Sequence, residues 1–131
     1  MLTRAEENAL ILLAARARSN AYAPYSGFAV GAVVVAEDER TFFGCNVENA
    51  SLGLTLCAER AALTSAVASG ARKIRALVVV TDTVPPPMPC GACLQWLAEF
   101  GGQDLQVVSA NLSGNVRRTA LGALLREPFR R

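Results

Sequence analysis

Three cysteines at two places in the chain constrain the fold more than any other feature of the sequence. Cys57 stands alone, whereas two residues separate Cys90 from Cys93, and the 131-residue chain contains no histidine. Two cysteines three residues apart lie on one face of a helix and can bind one metal ion. A catalytic zinc site has three protein ligands and an open fourth position. We therefore predict that the fold brings two distant segments together around one zinc ion.

Both cysteine positions carry the sequence signals of a helix start. Proline favours the first turn of a helix, and Pro89 precedes Cys90. Residues 57–69 are rich in alanine, leucine and valine, and Gly70 follows them as a natural helix end. The partial positive charge of a helix start lowers the pKa of a thiol. Thiolates at these positions can therefore bind zinc without histidine.

Two charged residues, Glu59 and Arg60, lie immediately downstream of Cys57. In a first helical turn Glu59 can lie beside the open metal position without binding the metal, and there it would carry protons to and from water. Three thiolates on Zn²⁺ leave a net charge of about minus one, which Arg60 would offset by donating hydrogen bonds to sulfur. Two simpler interpretations remain open: Glu59 interacting only with the helix dipole, and Arg60 as a solvated surface residue.

Alternating strand-like and helical segments predict the fold class. Residues 28–36 and 74–81 are almost entirely apolar and rich in valine, as in strands covered on both faces. Thr3 and Glu6 form a capping-box pattern before a helix that extends to residue 17. We predict a single domain, residues 1–131, folded as a three-layer α/β/α sandwich around a mixed five-stranded sheet. The other predicted elements are strands at 41–47, 106–111 and 116–119 and helices at 57–69, from 90 onward and at 121–125.

Composition and charge narrow the possible partners and location. The net charge is only +2 and the basic residues are scattered, so no nucleic-acid partner is predicted. The apolar stretch at 10–15 is too short for a signal peptide, and no stretch is long enough to span a membrane. Reduced cysteines without a secretion signal indicate a cytoplasmic protein. The 52% hydrophobic content in so short a chain favours a large oligomer interface.

The segment from Phe43 to Glu48 has a period-two pattern. Phe43, Cys45 and Val47 share an apolar face, which predicts Cys45 as a core residue. Asn46 and Glu48 share the opposite face, where an amide and a carboxylate could bind adjacent sugar hydroxyls. A polar loop that caps the next helix is the alternative.

Five motifs in chain order resemble the small homotetrameric cytidine deaminases, and the resemblance extends over most of the chain. The motifs are Tyr22-Ala23-Pro24-Tyr25-Ser26-x-Phe28-x-Val30-Gly31, the segment from Gly44 to Ser51, Cys57-Ala58-Glu59-Arg60, Pro89-Cys90-Gly91-Ala92-Cys93-x-Gln95, and Leu124-Leu125 with Phe129.

The resemblance implies a role for each matching position. It implies zinc ligands at Cys57, Cys90 and Cys93 and a proton shuttle at Glu59. For nucleoside binding it implies Phe28, the backbone at Ala58, and contacts of Asn46 and Glu48 with the ribose 3′-hydroxyl. It also implies a homotetramer in which Phe129 reaches the active site of a neighbouring subunit.

Three positions depart from the family pattern. Leu94 stands where arginine is common, which leaves more of the charge compensation to Arg60. Met88 stands where serine is common, and its backbone carbonyl is expected to suffice. Arg126 occupies the usual position of a proline, so the placement of Phe129 is less constrained than that of the cysteines.

The expected activity is zinc-dependent hydrolytic deamination of cytidine and deoxycytidine to uridine and deoxyuridine. Deamination of a modified cytosine nucleoside such as blasticidin S is the nearest alternative. Two non-enzymatic alternatives are a thiol redox protein that uses Cys90 and Cys93, and a structural zinc module with Cys45 as a fourth ligand. The redox alternative leaves the Cys57-Ala58-Glu59 segment unexplained, and the structural one requires Cys45 to leave the core.

Overall fold

The structure is a computed structural model that describes residues Met1 to Arg131 and contains five strands and four α-helices. The strands are β1 (Gly31–Ala36), β2 (Thr41–Cys45), β3 (Ile74–Thr81), β4 (Gln106–Asn111) and β5 (Val116–Ala120). The helices are α1 (Arg4–Arg18), α2 (Ala58–Ala68), α3 (Gly91–Phe100) and α4 (Leu121–Leu124), with a 3-10 turn at Leu52–Leu54. The strand order is β2-β1-β3-β4-β5, and only β3 and β4 run parallel.

Helices cover both faces of this sheet, which confirms the predicted α/β/α sandwich. On one face α1 packs against an apolar layer that includes Val33 and Val78. On the other face α2 and α3 place Leu63 and Leu97 against Val79 and its neighbours. The central strands β1 and β3 contribute side chains to both layers and are therefore buried almost throughout, as their apolar sequences predict.

Two glycines allow the helices to approach the sheet closely. A Cβ atom on Gly31 would lie 2.0 Å from the carbonyl oxygen of Ala14 in α1. On the opposite face, a Cβ atom on Gly44 would lie 2.5 Å from the backbone nitrogen of Ala62 in α2. No side chain fits at either position, so these glycines set the spacing between the sheet and its flanking helices.

Two observed strands are shorter than predicted. β1 begins at Gly31 rather than at residue 28, because the N–H of Val30 donates to the side chain of Asn46 at 2.8 Å. β2 ends at Cys45 rather than at residue 47. Val47 instead exchanges two backbone hydrogen bonds of 2.9 Å with Leu56. In both cases contacts with another segment replace continuation of the strand.

The prediction that Cys45 lies in the core, on an apolar face shared with Phe43 and Val47, is wrong. Phe43 is 59% exposed and Val47 is 46% exposed. Cys45 is half-buried and is not part of either core layer. β2 is an edge strand, so one side of these residues has no neighbouring strand to cover it.

Several local signals are confirmed. Thr3 and Glu6 form the predicted capping box at the start of α1. Gly70 has a φ of +97° just beyond α2, a conformation that glycine adopts without strain. None of the helices has both the length and the apolar character needed to cross a bilayer.

Candidate active site

The starts of α2 and α3 bring together the three cysteines that the sequence singled out. Cys57 is the N-cap of α2, Cys90 is the N-cap of α3, and Cys93 lies in the first turn of α3. Their sulfur atoms all lie within 4.8 Å of one another. Neither N-cap sulfur accepts a capping hydrogen bond from the backbone N–H groups of its helix, so both remain available to a metal.

The electrostatics around these sulfurs favour a thiolate at Cys57. A hydrogen bond from the Cys93 thiol is the main factor that lowers the pKa of Cys57 to about 5, and Arg60 contributes further. The Nη2 atom of Arg60 donates to Cys57 Sγ at 3.2 Å. The same Cys57–Cys93 hydrogen bond and burial raise the pKa of Cys93. Arg60 therefore contacts the cluster and is not a freely solvated side chain.

The donor set fits zinc. Thiolates are soft ligands that zinc binds readily, and three protein ligands are typical of a catalytic zinc site. Cys57, Cys90 and Cys93 are positioned to bind one metal ion. Zinc binding requires deprotonated thiols, and the Arg60 guanidinium and the two helix starts all favour negative charge here.

A cavity of about 270 Å³ opens beside the cysteines, near the lower end of the range for small-molecule sites. Its lining is mostly apolar and includes a few polar and ionisable groups. The apolar lining residues are Phe28, Val30, Ala58, Val79, Pro87 and Met88. The others are Asn46, Thr55, Cys57, Glu59, Thr81 and Cys90. No lysine or arginine lines this cavity.

Glu59 is the one carboxylic acid that lines the cavity. It lies in the first turn of α2 and is only 7% exposed. Burial is the main factor that raises the pKa of Glu59 to about 6, and the negative charge of Cys57 adds to the effect while Arg60 opposes it. A carboxyl group with such a pKa can accept and donate protons near neutral pH.

Asn46 connects the end of β2 to the loop before β1. Its Nδ2 donates to the carbonyl oxygen of Phe28 at 2.7 Å, and its Oδ1 accepts from the N–H of Val30 at 2.8 Å. Asn46 is buried, and these two bonds hold Phe28 at the cavity wall. The side chain thus supports the loop and also reaches the cavity.

Glu48 lies outside the cavity lining and is bound to the same loop. Its carboxylate accepts hydrogen bonds from the N–H of Tyr25 at 2.9 Å and of Ser26 at 3.1 Å, and from the Ser26 hydroxyl. These bonds hold the pKa of Glu48 below its usual value, and the bond from the Ser26 hydroxyl has the largest effect. The Ser26 hydroxyl in turn accepts from the N–H of Phe28 at 2.9 Å.

The remaining predicted residues lie in different surroundings. Ala58 is fully buried and lines the cavity. Phe129 is 71% exposed and does not reach the cavity of its own chain. Its backbone exchanges hydrogen bonds of 2.8 and 3.1 Å with the side chain of Gln95. Leu94 is buried in the core between the sheet and α3.

Sequence reasoning missed two threonines, Thr55 and Thr81, and the Met88 side chain in the cavity lining. Thr81 is the last residue of β3 and is almost fully buried. A hydroxyl at the end of a valine-rich strand is a signal that could have identified it. Thr55 and Met88 lie in irregular segments, where the sequence pattern gives no orientation.

The fold and the site together define a zinc-binding α/β protein with an ionisable carboxyl group beside the metal ligands. Residues 4–109 match the family model described as the cytidine and deoxycytidylate deaminase zinc-binding region. The chain belongs to this family.

Individual relatives agree with the family match. The chain is 46% identical to a cytidine deaminase of Sporosarcina psychrophila over 120 aligned residues. The alignment covers 92% of this chain and 88% of that protein. It is 44% identical to a cytidine deaminase of Mycobacterium tuberculosis over 116 aligned residues, and this alignment covers 88% of this chain and 84% of that protein. The crystal structure of a cytidine deaminase from Burkholderia pseudomallei is similar with a TM-score of 0.90 and 51% identity, over 98% of this chain and 100% of that one.

Proposed function

We propose that this chain acts as a zinc-dependent cytidine deaminase in pyrimidine salvage. It would hydrolyse cytidine and deoxycytidine to uridine and deoxyuridine and release ammonia. The observation that carries the proposal is a buried Glu59 carboxyl in the same cavity as Cys57 and Cys90. The names of the relatives at 46% and 44% identity support the same reaction. We propose one catalytic domain over residues 1–131.

The first part of the proposal concerns the metal. Cys57, Cys90 and Cys93 would hold the zinc ion, which supplies Lewis acidity that activates water for attack on the base. Arg60 would keep Cys57 ionised through its hydrogen bond of 3.2 Å and offset part of the thiolate charge.

Glu59 would move the protons of the reaction. Its carboxylate accepts a proton from the attacking water as the water oxygen bonds to C4 of the base, and delivers that proton to N3. It then transfers the remaining water proton to the amino group. The C4–N bond breaks, ammonia leaves, and a carbonyl forms at C4. A pKa of about 6 allows Glu59 to alternate between its two forms near neutral pH.

The nucleoside would bind in this cavity. Phe28 offers an aromatic face to the pyrimidine, and the backbone at Ala58 would contact the base. Asn46 uses one amide hydrogen and one oxygen lone pair for the loop, so the others are free for a ribose hydroxyl. Glu48 also has spare lone-pair capacity after its three hydrogen bonds to Tyr25 and Ser26.

The charge of the cavity favours a nucleoside over a nucleotide. Its ionisable groups are Glu59 and two cysteines, and no basic side chain is present to bind a phosphate. We propose no nucleic-acid or membrane partner. We propose a cytoplasmic location, because metal-binding thiolates must stay reduced.

We further propose a homotetramer whose active sites are shared between chains. Phe129 supports this assembly, because it is 71% exposed and does not line the cavity of its own chain. Across an interface its ring could stack on the pyrimidine bound by a neighbour. Light scattering should report four chains, and deletion of residues 127–131 should raise KM while zinc content is retained. A fully active monomer would contradict the shared site.

The decisive experiment for the activity is an ultraviolet assay on purified protein with cytidine and deoxycytidine, with ammonia measured in parallel. We expect conversion of both nucleosides, loss of activity with a chelator, and recovery on addition of zinc. Blasticidin S and deoxycytidine monophosphate provide the comparison substrates. Preferred conversion of either would change the assigned substrate, and no conversion of any by zinc-loaded protein would refute the deaminase proposal.

A further inference from the structure

The segment of residues 82–89, between β3 and α3, has an unusual backbone. It contains four prolines, Pro85, Pro86, Pro87 and Pro89, which have no N–H group to donate. It makes no hydrogen bond between its own main chain and any other main chain. Yet this segment leads directly into Cys90, and Pro87 and Met88 form part of the cavity wall. Its position therefore depends on side chains from other elements.

Three side chains from β4 and β5 donate hydrogen bonds to carbonyl oxygens of this segment. Ser109 Oγ donates to Pro87 at 2.5 Å, and Arg117 Nη1 donates to Pro86 at 2.9 Å. Asn111 Nδ2 donates to Thr83 at 2.8 Å. We call Ser109, Asn111 and Arg117 the carbonyl clamp.

The sheet register explains why two of these donors reach adjacent carbonyls. Ser109 in β4 lies directly opposite Arg117 in β5. Residues opposite each other in an antiparallel pair point to the same face of the sheet. Arg118 points to the other face, where it donates to Glu7 in α1 at 2.6 and 2.8 Å.

We propose that the carbonyl clamp is a set of positioning residues, which fixes the cavity wall at Pro87 and the start of α3 at Cys90. Ser109 is fully buried, and its loss leaves the Pro87 carbonyl without the hydrogen bond that ties it to β4. Uridine as the probe ligand, and zinc as the probe metal, rest on the proposed function.

The test compares Ser109→Ala and Arg117→Ala with the parent, each as zinc-loaded protein. Asn111 is not substituted, because its Oδ1 also accepts from Ser113 and Asn115 in the β4–β5 turn. Arg118→Ala is the matched control: it removes the same charge from the same strand but on the opposite face. The measurements are uridine affinity by calorimetry, the rate of zinc release to a chelator, and the melting temperature.

Both clamp variants should bind uridine about three- to tenfold more weakly, as expected for loss of one hydrogen bond that supports the wall. They should also release zinc faster than the parent. The Arg118→Ala control should melt at a lower temperature yet keep the parental uridine affinity and zinc release. That contrast separates positioning from general destabilisation. Uridine affinity reports the cavity wall at Pro87, and zinc release reports the start of α3 at Cys90. A change in either one supports the clamp.

Uridine affinity within twofold of the parent, together with parental zinc release, would overturn the proposal. If Ser109→Ala does not fold, Arg117→Ala decides alone, because its side chain is exposed and its loss leaves the core intact. A parent that converts no cytidine and binds no uridine would instead refute the proposed function. In that case the zinc-release comparison still tests the clamp.

Discussion

The two halves of the site are built in different ways. The metal half lies at the starts of α2 and α3, where helix-start geometry orients the ligands of each segment and the fold brings the two starts together. It consists of Cys57, Glu59, Arg60, Cys90 and Cys93. The proposed nucleoside half is a loop held by side chains that follow β2. It consists of Phe28, Asn46 and Glu48.

This difference predicts that substitutions within one half act mainly on that half, although the carbonyl clamp supports both. Helix-start geometry orients the metal ligands and Glu59, so substitutions there should change zinc content or turnover. Side-chain bonds to the main chain fix the nucleoside half, so its substitutions should change KM and leave zinc in place. Four substitutions test this separation, beginning with the largest expected effect.

Substitution of a metal ligand should have the largest effect. The purified parent should carry close to one zinc per chain, and Cys57→Ala should lose both the zinc and the activity, because two sulfurs form an incomplete site. Cys45→Ala is the matched control, since Cys45 lies outside the cluster. Zinc measured by atomic absorption decides the outcome: retention by Cys57→Ala and loss by Cys45→Ala would reverse the ligand assignment.

Glu59→Gln should have the next largest effect. Glutamine keeps the size and hydrogen bonding of the side chain but cannot carry a proton, so turnover should fall at least about a hundredfold. Zinc content should remain near one per chain, because Glu59 is not proposed as a ligand. Steady-state kinetics with cytidine measure the change. Turnover within tenfold of the parent would remove Glu59 from the mechanism.

Asn46→Ala should affect the nucleoside half alone. Loss of its two bonds releases Phe28 and Val30 from their fixed positions, so KM should rise about tenfold. Zinc content should match the parent. Asn20→Ala, at an exposed position, is the control. If Asn46→Ala also lost its zinc, the two halves would be coupled and the separation described above would be wrong.

The smallest effect should come from the opposite face of the sheet. Glu7 is buried in α1, and hydrogen bonds from Arg118 hold its pKa below the usual value. The ordinary pKa of this carboxyl group is 4.5, and in the folded protein it is lower. The ionised carboxylate therefore stabilises the folded state at pH values above 4.5, and this stabilisation is lost as the pH falls below 4.5 and through the lowered pKa. Glu7→Gln should therefore lower the free energy of unfolding by about 1–2 kcal/mol at pH 7. This value is smaller than for a fully buried pair, because the Arg118 side chain is 39% exposed and solvent screens the interaction.

Urea unfolding at several pH values checks this last prediction. The difference between Glu7→Gln and the parent should be full at pH 7 and should shrink below pH 4.5. Glu37→Gln, at an exposed position, is the control. Kinetic constants at pH 7 should not change, because Glu7 lies in α1, on the face of the sheet opposite α2 and α3. A difference in stability that is independent of pH would contradict the ion pair.

The same contrast explains what the sequence could predict. β3 and β4 were predicted at their observed bounds. In β3 the valine-rich apolar run favours a strand covered on both faces. The cysteine cluster was predictable because its spacing has a local geometric meaning on helix starts. Family resemblance contributed Phe28 and Ala58, whose neighbours in sequence give no chemical signal.

The errors lie where position depends on contacts between distant segments. The end of β2 was misplaced because Val47 pairs with Leu56, and the face of Phe43 was misjudged because an edge strand has no cover on one side. The carbonyl clamp was invisible for the same reason. Nothing in the sequence around Ser109 indicates that its hydroxyl meets a proline carbonyl 22 residues earlier.

Gly44 has a consequence for attempts to make this protein tolerate heat. Replacing glycine by alanine commonly stabilises a protein by restricting its unfolded chain, provided that the folded structure has room. At Gly44 the new methyl group would lie 2.5 Å from the backbone of Ala62 and would push α2 away from the sheet. Because α2 begins at Cys57, a displaced helix would carry a zinc ligand with it. The close approach of α2 to the sheet at Gly44 thus rules out this stabilising substitution if the zinc site is to be kept.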